Sequence, residues 1–403
     1  MYDVIIVGGG LAGLYTAFRL PKILKILIVE KEDHLGGRVY TFHNKEMTVD
    51  AGAGRFHQRQ LHLMHLIRAL KLTQKMKRIS SESVFFTEKT PPHPSFDLQE
   101  CMQRVAAYCA ELPRSTLIQH NYLDIARQVL SEQEVKWVER TFGYSAELFV
   151  MNAFDALSLF ASYKNQFYVM EGGLGQVVDG LVERLKHVTI RTGVSVDQFT
   201  YDGAQFILQT NSKEMLRAPV CVIAIPCPDM LKMRFLKSFL RQPLSMVRTA
   251  PLCRIYCTTT AMTGGLKIVT DNDLRMVIPV APHVVMASYT DGKYAKRWKK
   301  VHDEAGAEGV LHKLNADMAA LQIRMPLKNP KFFYWEHGVG YWAVGADSEK
   351  IAEGLVHPFD AMPLYLCGEN LSHLHQQWME GALETADRVA QRIRNGLERR
   401  VSK

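Results

Sequence analysis

At 403 residues, with 47% hydrophobic and 22% charged side chains, the chain is long enough for two domains with separate cores and too apolar for disorder. A formal charge of +8 invites an anionic partner. However, the denser basic runs at 293–300 and 392–403 lack aromatic interleaving, which argues against a nucleic-acid platform and for solvated helix faces and a C-terminal tail. Seven cysteines without a CxxC, and fifteen histidines without metal-ligand spacing, point to neither a disulfide framework nor a metal site. With a strand beginning near residue 2 and no apolar run long enough to span a bilayer, a reducing, cytoplasmic setting without a transmembrane segment is expected.

In chain order, residues 3–7 form an apolar strand that runs into Gly8-Gly9-Gly10-Leu-Ala-Gly13, and residues 11–20 have the spacing of a helix. A second apolar strand at 26–29 ends on Glu30. In this pattern Gly8 permits the turn, Gly10 admits a pyrophosphate to the backbone and Gly13 lets helix pack on strand. The helix N-terminus offers free N–H groups and the positive end of its dipole to phosphate, while the Glu30 carboxylate suits a ribose hydroxyl pair. Together these predict an adenine-dinucleotide site.

Gly36-Gly37-Arg38 follows, a turn whose guanidinium fits phosphate unless it is only a surface cation. Next comes Asp50-Ala-Gly52-Ala-Gly54-Arg55-Phe56, and then a helix around 61–70. Thr90-Pro-Pro-His-Pro94 breaks the chain, and 96–163 has a helical pattern. Strand and glycine-turn character returns at 166–175 with Glu171-Gly172-Gly173, followed by a helix through Leu185 and strands at 188–196, 206–210 and 220–225. Strands at 253–258, 276–279 and 284–289 are mixed with helix near 295–322. The chain ends on a strand at 364–367, Gly368-Glu369 and a helix from Met379. The fold class is therefore α/β: a doubly wound, Rossmann-like domain with an inserted mixed α+β substrate domain. The expected bounds are 1–80, 166–228 and 340–403 for the first and 81–165 and 229–339 for the second.

These motifs, with Ile223-Ala-Ile-Pro226 and Trp378-Met-Glu-Gly381-Ala382, resemble those of the flavin-dependent amine oxidases, a family of monoamine, polyamine and L-amino acid oxidases, over essentially the whole chain. The resemblance implies FAD, held at Gly8, Gly10, Gly13, Glu30, Gly37, Arg38, Gly54, Arg55, Val194, Glu369 and Met379. Val194 would meet the adenine through its backbone, Glu369 would lie by the pyrophosphate or ribityl chain, and the helix from Met379 would face the flavin pyrimidine ring. Relatives that tether FAD use a cysteine before a tyrosine. Here Gly340 precedes Tyr341, so non-covalent FAD is expected.

The resemblance also makes Tyr341 and Trp378 the aromatic pair that orients an amine, and desolvation there would favour its neutral form. It makes Arg55 the partner of a substrate carboxylate, as in the L-amino acid oxidases. Arg55 could instead pair with a protein carboxylate or a flavin phosphate. The family's catalytic lysine falls on Arg254, or on Cys253 if the register slips by one, and an arginine cannot act as a base. The implied reaction is hydride transfer from an amine, with an L-amino acid preferred, to flavin N5. The imine would hydrolyse and oxygen would be the acceptor. Alternatives are an amine oxidase without carboxylate recognition, a desaturase or porphyrinogen-type oxidase, or a low-activity flavoprotein with a binding or assembly role. The oligomeric state stays open, a homodimer being one option.

Overall fold

The computed structural model describes residues 1–80, 82–87, 96–163, 165–260 and 265–401. The first strand, Val4–Val7, is buried throughout and pairs in parallel with a neighbour on each side, Val4 standing opposite both Ile26 and Val220. Thr189–Arg191 extends the sheet past Ile26–Val29, and Leu364–Leu366 extends it past Val220–Ile223. In chain order the strands therefore lie third, second, first, fourth, fifth. The winding reverses between Val4–Val7 and Val220–Ile223, and a crevice opens there at the strands' carboxyl ends.

Burial on both faces explains why the central strands Val4–Val7, Ile26–Val29 and Val220–Ile223 are unbroken apolar runs rather than alternating ones. Ile6 and Ile28 pack with Leu14, Leu181 and Leu383 of the helices Leu11–Arg19, Gly175–Arg184 and Met379–Val401. On the opposite face Ile5 and Leu27 pack with Phe206 and Leu208 of a small antiparallel sheet, and with Leu240 and Leu355 of two further helices. The opening helix sits so close that a side chain at Gly13 would collide with the Gly8 carbonyl. Gly8 itself has φ +111°, which glycine adopts without strain.

A second, six-stranded sheet runs in the order Leu327–Trp342, Val247–Thr259, Val284–Asp291, Met276–Ala281, Lys267–Thr270, Ser83–Phe86. It is backed by the helix Gly292–Ala320, which bends at Gly306 (φ 61°, ψ −157°). Six helices between Leu98 and Ser162 form a third body of structure with its own core around Leu123, Ile125 and Val138.

Three expectations need comment. The apolar stretch 188–196 is not one strand: it divides into Thr189–Arg191 and Val196–Tyr201, because Gly193 at φ 68° turns the chain between two different sheets. The sixteen-residue strand Leu327–Trp342 was not foreseen, since Pro330, Gly338 and Gly340 look like turn residues. Its pairing with Val247–Thr259 passes Pro330 and Gly338 through register shifts and keeps Gly340 paired with Thr249. The expected break at Thr90–Pro94 lies outside the described residues. All seven cysteines are buried and free. Among the described residues no helix is long and apolar enough to cross a membrane.

Candidate active site

The crevice at the sheet's winding reversal opens into a cavity of about 670 Å³, a size that holds a cofactor or a drug-sized ligand. Gly8, Gly10, Glu30, Gly37, Arg38, Gly54, Arg55, Val194, Arg254, Tyr341, Glu369, Trp378 and Met379 all line it. Of the residues expected to hold FAD, Gly13 does not. Its part is to bring the opening helix onto the first strand.

At the strand ends, Glu30 is fixed by backbone donors. Its Oε2 accepts the Gly9 N–H at 2.6 Å, its Oε1 accepts the Glu32 N–H at 2.9 Å, and its own carbonyl accepts the Val194 N–H at 2.8 Å. The helix Leu11–Arg19 begins at Gly10 without a side-chain cap, so its first N–H groups are left for a ligand. A Cβ on Gly10 would meet nothing nearer than the Gly36 carbonyl at 4.0 Å, which marks open space in front of those N–H groups.

Arg38 and Glu369, each read from the sequence as a cofactor contact, here meet each other. Arg38 Nη1 lies 2.9 Å from Glu369 Oε2 and donates to the Gly338 carbonyl at 3.0 Å. Glu369 also accepts from the Gly340 N–H at 3.1 Å, the Gln377 N–H at 2.6 Å and Asn370 Nδ2 at 2.7 Å. This one buried carboxylate thus ties the Gly37 turn, the strand Leu327–Trp342 and the lead-in to the last helix. Met379 opens that helix on the cavity. The adjacent Glu380 turns away and caps another helix by accepting the His62 and Leu63 N–H groups.

The other end of the cavity is aromatic and cationic. Arg55 donates to the Tyr144 hydroxyl at 3.2 Å, and its guanidinium carbon lies 4.6 Å from the Phe167 ring centre and 5.8 Å from Trp378. Among the described residues no carboxylate comes within ion-pair distance of Arg55. Arg254 is held by the Asp50 carbonyl at 2.8 Å and lies over the Tyr289 ring at 4.7 Å. A Cβ on Gly54 would press against its Nη1 at 2.6 Å. Its neighbour Cys253 points into the core beneath the bent helix, so of these two it is Arg254 that reaches the site. Trp378 stacks on Phe167 at 5.8 Å and 17°. Burial holds the Tyr341 hydroxyl well above its usual pKa.

Sequence reasoning missed Tyr144, Glu147, Tyr163 and Tyr289, all on the cavity wall. Glu147 accepts the Tyr163 hydroxyl at 2.7 Å, and burial pushes its carboxyl up to about 8. A lone acid inside Ala146-Glu-Leu-Phe-Val-Met151 was the available signal.

A doubly wound sheet with an uncapped helix start, a ribose-type carboxylate and a long cavity at its winding reversal defines a dinucleotide-dependent oxidoreductase. Residues 6–70 match the NAD(P)-binding Rossmann-like domain and residues 94–394 match the flavin containing amine oxidoreductases. The chain belongs to the flavin containing amine oxidoreductase family, and its cofactor is FAD. Over its whole length it is 21% identical to dog amine oxidase [flavin-containing] A, covering 87% of that protein. It is 22% identical to the uncharacterised protein R188 of Acanthamoeba polyphaga mimivirus, over 96% of this chain and 92% of the relative. In fold it is similar to a crystal structure from Exiguobacterium sp. 255-15, provisionally named a protoporphyrinogen oxidase. The TM-score is 0.75 at 18% identity, over 97% and 98% of the two chains.

The residues fit FAD. The N–H cradle at Gly10, Glu30 for a ribose and the helix start at Met379 are the donors and acceptors that such a molecule needs, and all of them line one cavity. Gly340 fits a non-covalent mode, since a side chain there would collide with Asn370 Nδ2 and a tethering cysteine has no room. Acid precipitation should therefore leave the yellow flavin in the supernatant. Flavin remaining with the protein pellet would contradict that expectation.

Proposed function

We propose that the protein oxidises amines, with an L-amino acid the preferred class and molecular oxygen the electron acceptor. When bound, FAD supplies the two-electron oxidation of the carbon–nitrogen bond. The chain's own residues orient the substrate and keep water out. The observation that carries this reading is Arg55, a cation in an aromatic wall with no carboxylate of the described residues in ion-pair reach. A buried guanidinium is costly until an anion meets it, and an α-carboxylate is a planar partner for its fork. Trp378 and Tyr341 supply apolar ring surface on the same cavity, where an amine loses hydration and its neutral form gains. Arg254 stays charged and can hold water or an anion, but it cannot take a proton.

We assign the cofactor to a domain built of 1–80, 166–228 and 340–403, and the substrate to one built of 81–165 and 229–339. Parallel pairing of Ser83 with Lys267 and of Phe86 with Thr270 supports joining the two substrate segments.

Anaerobic mixing of the holoenzyme with a panel of L-amino acids and their decarboxylated amines tests the proposal. Bleaching of the flavin absorption band should be faster with at least one amino acid than with its amine. Bleaching by amines alone would remove the carboxylate preference. No bleaching by either class would favour a flavoprotein kept for binding.

A further inference from the structure

We propose that Glu147 accepts the ammonium proton of the incoming substrate. The amine enters as R–NH₃⁺, one N–H bond breaks, and the proton bonds to a Glu147 carboxylate oxygen. The electron pair stays on nitrogen, leaving a neutral amine beside a neutral carboxylic acid. This rests on the amine reading above and adds a step to it.

Glu147 is 2% exposed, lines the same cavity as Arg55, Tyr341 and Trp378, and has one oxygen fixed by Tyr163. Its other oxygen, Oε2, is buried with no hydrogen-bond partner among the described residues. Rotation about the last side-chain bond of a glutamate is soft, so this oxygen can present itself to a ligand at little cost. The other buried carboxylates nearby are taken. Glu30 serves backbone N–H groups, Glu369 serves Arg38, Asn370 and two N–H groups, and Asp291 accepts from the Ser145 N–H and hydroxyl and the Ala146 N–H.

The substrate end of the cavity already holds Arg55 and Arg254, so a further cation entering it would be repelled as well as dehydrated. Passing one proton to Glu147 cancels both charges, and a neutral hydrogen-bonded pair is the least costly state to bury. The charged and titratable groups that face Glu147 are Tyr163, Tyr144 and Tyr341, Asp291 at the end of the strand Val284–Asp291, and Arg55. Burial is the largest influence on its carboxyl, Asp291 adds to it, and Tyr163 and Arg55 oppose it.

The sign of the pH dependence follows. Below about pH 8 Glu147 is already protonated and cannot accept. Above the amine's own pKa, about 10 for an alkylamine, the substrate brings no proton to transfer. In wild-type holoenzyme the second-order constant for flavin reduction by an alkylammonium substrate should rise through about pH 8 and then level off, because above its own pKa the amine arrives already neutral. Glu147→Gln still offers Tyr163 an acceptor but cannot take a proton. Its constant should climb steadily toward the amine's pKa and fall about tenfold below wild type at pH 9. A weakly basic amine, neutral throughout, should be oxidised equally by both proteins. Glu147→Asp should restore part of the wild-type rate at pH 9.

A readout independent of turnover is infrared difference spectroscopy with 2-aminoisobutyrate, which has no α C–H to oxidise. At pH 9 its binding should raise a carboxylic-acid carbonyl band in wild type and none in Glu147→Gln. An unchanged pH profile in Glu147→Gln, or equal slowing of the weakly basic amine, would overturn the assignment. So would tighter amino acid binding by Glu147→Gln above pH 8, which would make Glu147 a competitor for Arg55. If wild type is reduced by amines and the variant is unaffected, this step alone fails. If no amine reduces wild type, the amine reading fails with it.

Discussion

Arg55→Ala is expected to raise KM for an L-amino acid about 100-fold and to change KM for the decarboxylated amine less than about threefold. The magnitude follows from removing one member of a desolvated charge-assisted pair, which costs about 3 kcal/mol when the other member has to be buried alone. The selectivity follows from where Arg55 sits. It is held by the Tyr144 hydroxyl and by ring faces at Phe167 and Trp378, so truncation removes a cation without stranding a protein carboxylate. Steady-state kinetics with one amino acid and its amine checks this, with kcat recorded separately. Arg55→Lys should recover only part of the loss, because a lysine cannot form the two parallel bonds of a guanidinium fork. Equal losses for both substrates would mean that Arg55 supports the aromatic wall and binds no carboxylate.

The contrast between the two ends of the cavity shows what a sequence carries and what it hides. The cofactor end was legible because its demands fall on backbone, and backbone demands select glycine at fixed spacing. Gly8, Gly10 and Gly13 lie in one short turn and helix start, and Glu30 follows at the end of the next strand, so the whole cradle lies within a short stretch. The carboxylate–guanidinium tie between Arg38 and Glu369 was not legible. Both residues were singled out, but nothing local says that a separation of some 330 positions closes to 2.9 Å, and each was given to the cofactor instead.

The substrate wall was legible only in part. Arg55, Tyr341 and Trp378 stand inside motifs, whereas Glu147 sits in the short helix Ala146–Phe149, Tyr144 just ahead of it and Tyr163 at the end of Ala153–Ser162, where apolar spacing shows packing and nothing of chemistry. The sheet strand Leu327–Trp342 was lost for a related reason. Glycine and proline weigh against a strand locally, and long pairing with Val247–Thr259 outweighs that preference.

Glu369→Ala is expected to destabilise the protein by about 3–5 kcal/mol, the usual cost of breaking a buried ion pair from one side. At about 2.1 cal/mol/K of unfolding entropy per residue, this corresponds to a fall of about 5 °C in thermal midpoint for a chain this long. Three kinds of loss add up. Arg38 keeps its bond to the Gly338 carbonyl but loses its counter-charge, the Gly340 and Gln377 N–H groups lose their acceptor, and Asn370 Nδ2 loses its bond. Because those N–H groups belong to the strand carrying Tyr341 and the segment leading to Trp378 and Met379, the flavin end of the cavity should loosen as well. The purified variant should therefore carry less FAD. Glu369→Gln should be milder: its carbonyl oxygen can still accept from the two backbone N–H groups, while its amide meets Arg38 without charge. Scanning calorimetry of the flavin-free proteins separates the stability effect from the flavin-to-protein absorbance ratio of the purified ones. A variant that keeps both its midpoint and its full flavin content would show that the tie is ornamental. The density of donors on one carboxylate with 6% of its surface exposed argues that it is a hinge point for the whole site.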